Sequence, residues 1–240
     1  VYKRQAKGLP STAAITPIQF CEKYCQYVDE GYTDVIHVPI NKSGSSTYNN
    51  ALMAQGMLRE ERPEHHLKIH LLDPHTYSMV FGWYLCEMAR KLKNGAEISH
   101  VIQEFEKQMN CMEIILGPYT LKQMKKSGRI SAAAAVMGEL MGIRPIITLI
   151  DGKTKVESKV RGDDKVIPAM IDLCKKRTEG VEDFDYMIGH TSIPQAAELE
   201  KACRKAFGKA PLTTFNLGGV VSANTGPDTL ALVYVGKPRD

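Results

Sequence analysis

No apolar run in the 240 residues approaches the roughly 20 needed to span a bilayer, so the sequence contains no integral membrane segment. There is also no strong charge of one sign. Thirty-one basic and 27 acidic residues leave a net +4, too mild a balance to argue for a nucleic-acid partner. The six cysteines, at 21, 25, 86, 111, 174 and 203, form no Cys-x-x-Cys pair and have no histidine cluster at metal-ligand spacing. Cys21 and Cys25 fall one turn apart on an expected helix and are read as small buried residues rather than a redox or metal site. No secretory leader is visible, which makes a reducing cytoplasm the default expectation. What remains is an ordinary globular mix, 43% apolar and 24% charged, in a chain long enough to bury a core. Val1–Gln5 also match the translation of a transposon-type sequencing adapter. They are read as a library scar and set aside from fold reasoning.

Helical and extended signals alternate along the chain. Thr16-Pro17 opens a helix with an apolar stripe of Ile18, Cys21, Tyr24, Cys25 and Val28, closed by Gly31. Residues 34–40 and 67–72 read as strands, with a helix between them striped by Tyr48, Ala51, Leu52, Gln55 and Leu58. Asp73-Pro74 breaks the second strand. Amphipathic helices follow from Tyr77 to Leu92 and from Ile98 to Met109. Further on come a strand at 111–116, short helical stretches at 121–126 and 132–141, and strands 145–150 and 154–160. Asp151-Gly152 joins those two strands as a hairpin. Helices at 166–174 and 197–207 and strands at 184–188, 212–216 and 230–235 complete the pass. The alternation predicts α/β layering with mixed, mostly parallel sheets flanked by helices. The break near 73–76 divides the chain into a first lobe, 1–75, and a second, 76–240.

Chemistry can be sought in four places. Asn41–Asn50 (NKSGSSTYNN) sets hydroxyls and free backbone N–H groups at a helix start, an anion site for a carboxylate or a phosphate. Plain helix capping by Ser45 or Ser46 explains the same residues. The run is neither a P-loop nor a Gly-x-Ser-x-Gly elbow. Residues 10–17 (PSTAAITP) carry hydroxyls before a helix. Ser127-Gly128-Arg129 places an arginine in a tight turn, where it can reach an anion in bidentate fashion. Asn224-Thr225-Gly226-Pro227 reads as a turn. His190 follows a strand, where a lone histidine is more often structural, and His65-His66 read as exposed. The basic runs 125–126 and 175–177 read as solvated helix faces. Eleven methionines, with Met124, Met137 and Met141 in one region, fit core packing or a pliable lining for a long apolar ligand. No acid/base dyad, catalytic nucleophile or metal cluster declares itself.

Together these pieces resemble the DegV family of bacterial lipid-binding proteins. Residues 121–162 (LKQMKKSGRISAAAAVMGELMGIRPIITLIDGKTKVESKVRG) are similar to the family's Gly-Gly-Arg-Ile-Ser and Arg-Gly stretches. Ser45-Ser46-Thr47-Tyr48 resembles its Ser-Gly-Thr-Tyr. Asp73 with Ser78, Met79 and Gly82 resembles its Asp-Ser helix entry, and Thr225-Gly226-Pro227 its His-Thr-Gly-Pro-Gly. The resemblance implies a two-lobed α/β (EDD-type) fold with a long-chain fatty acid between the lobes and no other cofactor. It implies that the carboxylate is held at Thr12, Ala13, Ser45 and Ser46. Arg129, Arg161, Asn224 and Thr225 are implied as supporting anion or partner contacts. It further implies a non-catalytic carrier that presents the acid to a fatty acid kinase subunit for acyl-phosphate formation in phospholipid synthesis. The alternative is a phosphotransfer-type enzyme or sensor that binds a phosphorylated metabolite at the same anion site. This chain departs from the family at Ala13-Ala14-Ile15, where the family has Ser-Gln-Pro. Ser46 replaces a glycine, Asn224 a histidine and Asp228 a glycine. The family's opening strand and Asp-Ser pair have no counterpart here, which is read as an amino-terminal truncation that leaves the first lobe's sheet incomplete.

Overall fold

The computed structural model describes residues 10–128 and 142–239. Val1–Gln5, Arg129, and the expected helix at 132–141 lie outside the described residues. The chain separates into two compact units, residues 13–77 and residues 78–239 with 10–12.

The first unit contains α1 (Pro17–Asp29), β1 (Asp34–His37), α2 (Thr47–Glu61) and β2 (Lys68–Leu71). Thr16 starts α1 with a complete capping box, its hydroxyl accepting from the Gln19 N–H while the Gln19 side chain accepts from the Thr16 N–H. The strands pair in parallel, Asp34 opposite Lys68 and His37 opposite Leu71. Both helices pack to make a core of Phe20, Cys21, Tyr24, Ala51, Ala54, Leu58 and Leu67. The expected stripes are buried at Cys21, Tyr24, Ala51 and Leu58, with single exceptions. Ile18 is 60% exposed, and Phe20 joins the core in its place. Leu52 is likewise exposed, while Ala54 is fully buried. A polar pair lies within this unit. The Tyr24 hydroxyl is 2.7 Å from His37 Nδ1, and burial holds the His37 imidazole below its ordinary pKa of 6.5.

The second unit opens with two helices, α3 (Met79–Lys93) and α4 (Ile98–Cys111), tied by Gln108 donating to the Tyr84 hydroxyl at 2.9 Å. Next come β3 (Met112–Pro118), α5 (Lys122–Ser127), β4 (Ile143–Ile150) and β5 (Lys153–Arg161). After a 3-10 turn, α6 (Val166–Arg177), β6 (Tyr186–His190), α7 (Gln195–Phe207), β7 (Thr214–Asn216), α8 (Gly219–Thr225) and β8 (Thr229–Val235) complete it. Six strands form one sheet in the order β5-β4-β3-β8-β6-β7. The α6 stripe is buried as the spacing predicts: Val166, Ile167, Met170, Ile171 and Cys174 all face the core. Asp151 (φ 49°) and Gly152 (φ 72°) make the expected tight hairpin, since two left-handed residues match the twist of the strands.

The sheets are mixed, but the parallel majority is not found. Among the described residues only β1–β2 and β6–β7 run parallel, and the other four pairs are antiparallel. Helix-strand alternation does not fix strand direction, and the last strand inserts antiparallel between β3 and β6. Residues 219–225 form a short helix where no periodicity announced one. Arg177, expected on a solvated face, instead pairs with Glu113 at 2.9 Å.

Two measurements check this packing. A Cβ on Gly117 would meet Met170 Sδ at 2.5 Å and Val166 Cγ1 at 2.7 Å. Gly117→Ala therefore lowers stability by about 1–3 kcal/mol in chemical denaturation. For His37, the depressed folded pKa means the unfolded chain takes up the proton first. Its contribution is complete above pH 6.5 and is lost as pH falls from there toward the folded value. The midpoint of thermal unfolding thus falls more steeply below about pH 6.5 in the wild type than in His37→Gln. Equal slopes would remove His37 as the cause.

Candidate functional site

The parallel pair β1–β2 ends on one side in two loops, 38–46 and 72–77. Carboxyl ends of parallel strands are where α/β units gather ligand-binding loops. These two loops are laced together. The Asn41 N–H donates to the Thr76 carbonyl at 3.1 Å. The Asp73 side chain, 8% exposed, accepts from the Lys42 N–H at 3.3 Å and the His75 N–H at 3.0 Å through one oxygen. Its other oxygen faces Lys42 Nζ and His75 Nδ1, each at 3.6 Å. A residue read from sequence as a strand breaker is thus a clamp between loops.

Gly44 is the point of closest approach. A Cβ there would overlap the Tyr77 hydroxyl, so no other residue fits without displacing that ring. Asn41, 1% exposed, shapes the turn: its side-chain oxygen accepts from both the Ser43 N–H and the Ser43 hydroxyl at 2.7 Å. The loop then enters α2. Ser46 stands at the N-cap, but its side chain makes no capping bond. Ser45 does the local work, accepting from the Thr47 N–H at 3.2 Å and lying 2.8 Å from the Thr47 hydroxyl. When Thr47 is the donor in that pair, the Ser45 proton is left to point at a ligand. The first-turn donors of α2 are not covered by Ser46, so the helix start keeps its positive end. Three buried polar atoms of the two loops, Asn41 Nδ2, Thr76 Oγ1 and Asp73 Oδ2, meet no hydrogen-bond partner among the described residues. Buried polar groups of this kind are costly unless something polar pairs with them. The sequence named Asn41 only as the start of the hydroxyl run and did not single out Thr76, because burial depends on how the two loops fold together.

Ser45 and Ser46 therefore share one loop, Ser45 half-buried and Ser46 exposed. Ala13, exposed, belongs to the same unit, whereas Thr12, half-buried, belongs to the other. Arg161 is exposed at the end of β5. Asn224 and Thr225 are not in a free turn but on the last turn of α8. There Asn224 Nδ2 donates to the Val220 carbonyl at 2.8 Å, and Thr225, 5% exposed, has its carbonyl bonded by the Thr229 hydroxyl. His190 is held low by burial, and its Nδ1 accepts from the Ser192 N–H at 3.0 Å, which leaves Nε2 carrying the proton of the neutral ring. Met109, Met112, Met124, Met170 and Met187 are all core residues. No helix among the described residues is long and apolar enough to cross a membrane.

Comparison with known proteins agrees with this architecture. A stearic acid-binding protein from Eubacterium ventriosum superposes with a TM-score of 0.86 at 20% identity, over 98% of this chain and 82% of that one. A fatty-acid-binding DegV family protein from Streptococcus agalactiae gives a TM-score of 0.83 at 26% identity, over 98% and 82%. In sequence, a DegV domain-containing protein from Clostridium perfringens is 26% identical over 242 residues, spanning 100% of this chain and 82% of its own. The family model described as "Uncharacterised protein, DegV family" matches residues 2–237, and the chain belongs to the DegV family.

Proposed function

We propose that this protein is a cytoplasmic, non-catalytic carrier of a long-chain fatty acid, whose carboxylate sits at the 41–47 loop. The observation that carries the reading is the set of donors at the start of α2. It comprises the Ser45 hydroxyl, an N-cap without side-chain cover, and the orphaned Asn41 amide beside them. The Eubacterium ventriosum and Streptococcus agalactiae relatives, described as binding stearic acid and fatty acid, support the choice of ligand.

The physical logic is a division of labour. Each buried methylene contributes about 0.8 kcal/mol, so the hydrocarbon chain favours a dry apolar channel. The carboxylate tolerates such surroundings only with several donors, each charge-assisted bond being worth about 1.5–3 kcal/mol. Hydroxyl and backbone donors provide this without burying an opposite full charge. Ala13 retains a backbone N–H where the family's hydroxyl is lost, and Thr12 retains a hydroxyl. In the same reading a separate kinase subunit transfers the ATP γ-phosphoryl group to the bound carboxylate, releasing ADP. Arg129, Arg161, Asn224 and Thr225 are then the candidate contacts for the anion or the kinase.

Two measurements test the reading. Mass spectrometry of ligand extracted from the purified protein should return a long-chain fatty acid. A recovered sugar phosphate would instead establish the phosphometabolite alternative. Titration of a labelled fatty acid into Ser45→Ala and Thr12→Ala should show binding about tenfold weaker in each, or roughly 1.4 kcal/mol, with unchanged circular dichroism. Unchanged affinity in both variants would refute the headgroup assignment.

A further inference from the structure

The far end of α2 from the anion loop carries a second constellation. Cys21 and Cys25 are four residues apart on α1 and so share one face of it. The last residue of α2, Glu61, is brought against them by helix packing. Cys21 Sγ, Cys25 Sγ and a Glu61 carboxylate oxygen all lie within 4.8 Å of one another, and Cys25 Sγ is 3.6 Å from Glu61 Oε2. We propose that Cys21, Cys25 and Glu61 form a binding site for a thiophilic divalent cation of the zinc class, with its fourth position open to water.

The spacing fits that chemistry. Tetrahedral zinc takes thiolate sulfur at about 2.3 Å and carboxylate oxygen at about 2.0–2.2 Å, which sets a sulfur-to-oxygen edge of about 3.6 Å. The ligands are graded in exposure: Cys21 is 2% exposed, Cys25 half-buried and Glu61 exposed. The inner thiol is therefore fixed by the core while the outer carboxylate leaves an entry path. Both helices are anchored by Phe20, Tyr24, Ala51, Ala54 and Leu58, so the ligands sit on rigid elements rather than on a loop. Two thiolates and one carboxylate favour zinc or cadmium over magnesium or calcium, which prefer all-oxygen shells.

The charge balance also suits a dication: two thiolates and one carboxylate gather three negative charges within one small site. Binding releases the two thiol protons and leaves a net charge of −1 on the metal and its three protein ligands. From sequence the cysteine pair looked like core filler, because its third member stands 36 residues away. The site lies about 20 Å along α2 from its start, so it is independent of the carboxylate reading.

The test uses the full chain, reduced and freed of metal, with Cd2+ as spectroscopic probe and Zn2+ for stability. Cd2+ should raise a thiolate-to-cadmium ultraviolet band that saturates at one equivalent, and Zn2+ should raise the melting temperature. Cys25→Ser, at a half-buried position and checked by circular dichroism, should lose the band and bind at least about tenfold more weakly. Glu61→Gln should keep the band at reduced affinity. His65→Ala/His66→Ala and Cys86→Ser should match the wild type. Absence of the band, or its survival at full strength in Cys25→Ser, would overturn the site.

Discussion

The candidate carboxylate site depends on one buried charge. Asp73 accepts the Lys42 and His75 backbone N–H groups through a single oxygen, and so holds the loop after β1 against the loop after β2. A carboxylate this covered is stable only because it is bonded and lies beside a cation, here Lys42 Nζ at 3.6 Å. The contact of Gly44 with Tyr77, the Asn41 turn and the orientation of Ser45 all follow from that closure. Asp73 also shows how an anion site can sit beside an acidic side chain: one of its oxygens is bonded to the loop itself and the other faces Lys42 Nζ. The left-handed backbone of His75 (φ 56°) is the local strain this loop carries.

The start of α2 is where ordinary helix capping and ligand binding compete for the same groups. A side-chain cap from Ser46 would satisfy an orphan N–H and reduce the site's capacity for an anion. Ser46 makes no such bond, and Ser45 turns onto the first helical N–H instead. Thr16 at the start of α1 is the contrast within the same unit. Its hydroxyl and the Gln19 side chain are engaged with each other's backbone N–H groups in a capping box.

Much of the fold was legible in the sequence. The α6 stripe, the Asp151-Gly152 hairpin and the Thr16-Pro17 helix start are local signals read by local physics, and they hold. Features set at long range were not legible. Strand direction depends on where β8 inserts, more than 110 residues after β3. The helix at 219–225 is too short and too rich in small residues to show a period. For the site, the hydroxyl loop could be read directly, while the burial of Asn41 and Thr76 and the clamping role of Asp73 could not, since burial and cross-loop bonds are tertiary. The same limit hid Glu61 from Cys21 and Cys25.

In the proposed complex, chain and headgroup contribute on different scales, and this decides what the loop can select. A long acyl chain of about fifteen buried methylenes supplies on the order of 12 kcal/mol gross, against about 1.5–3 kcal/mol for each headgroup bond. Affinity therefore comes mainly from the chain. The loop contributes selection by end group, because an alcohol or an ester cannot repay the Ser45 proton, the helix start and the Asn41 amide as a carboxylate does. Neutral donors suit that task better than a buried lysine or arginine would. A full positive charge would hold the carboxylate tightly in place, whereas hydroxyl and amide donors leave its oxygens basic enough to be approached by a phosphoryl group. On that proposal the departures at Ala13 and Ser46 exchange one neutral residue for another, so neither brings a charge to the headgroup.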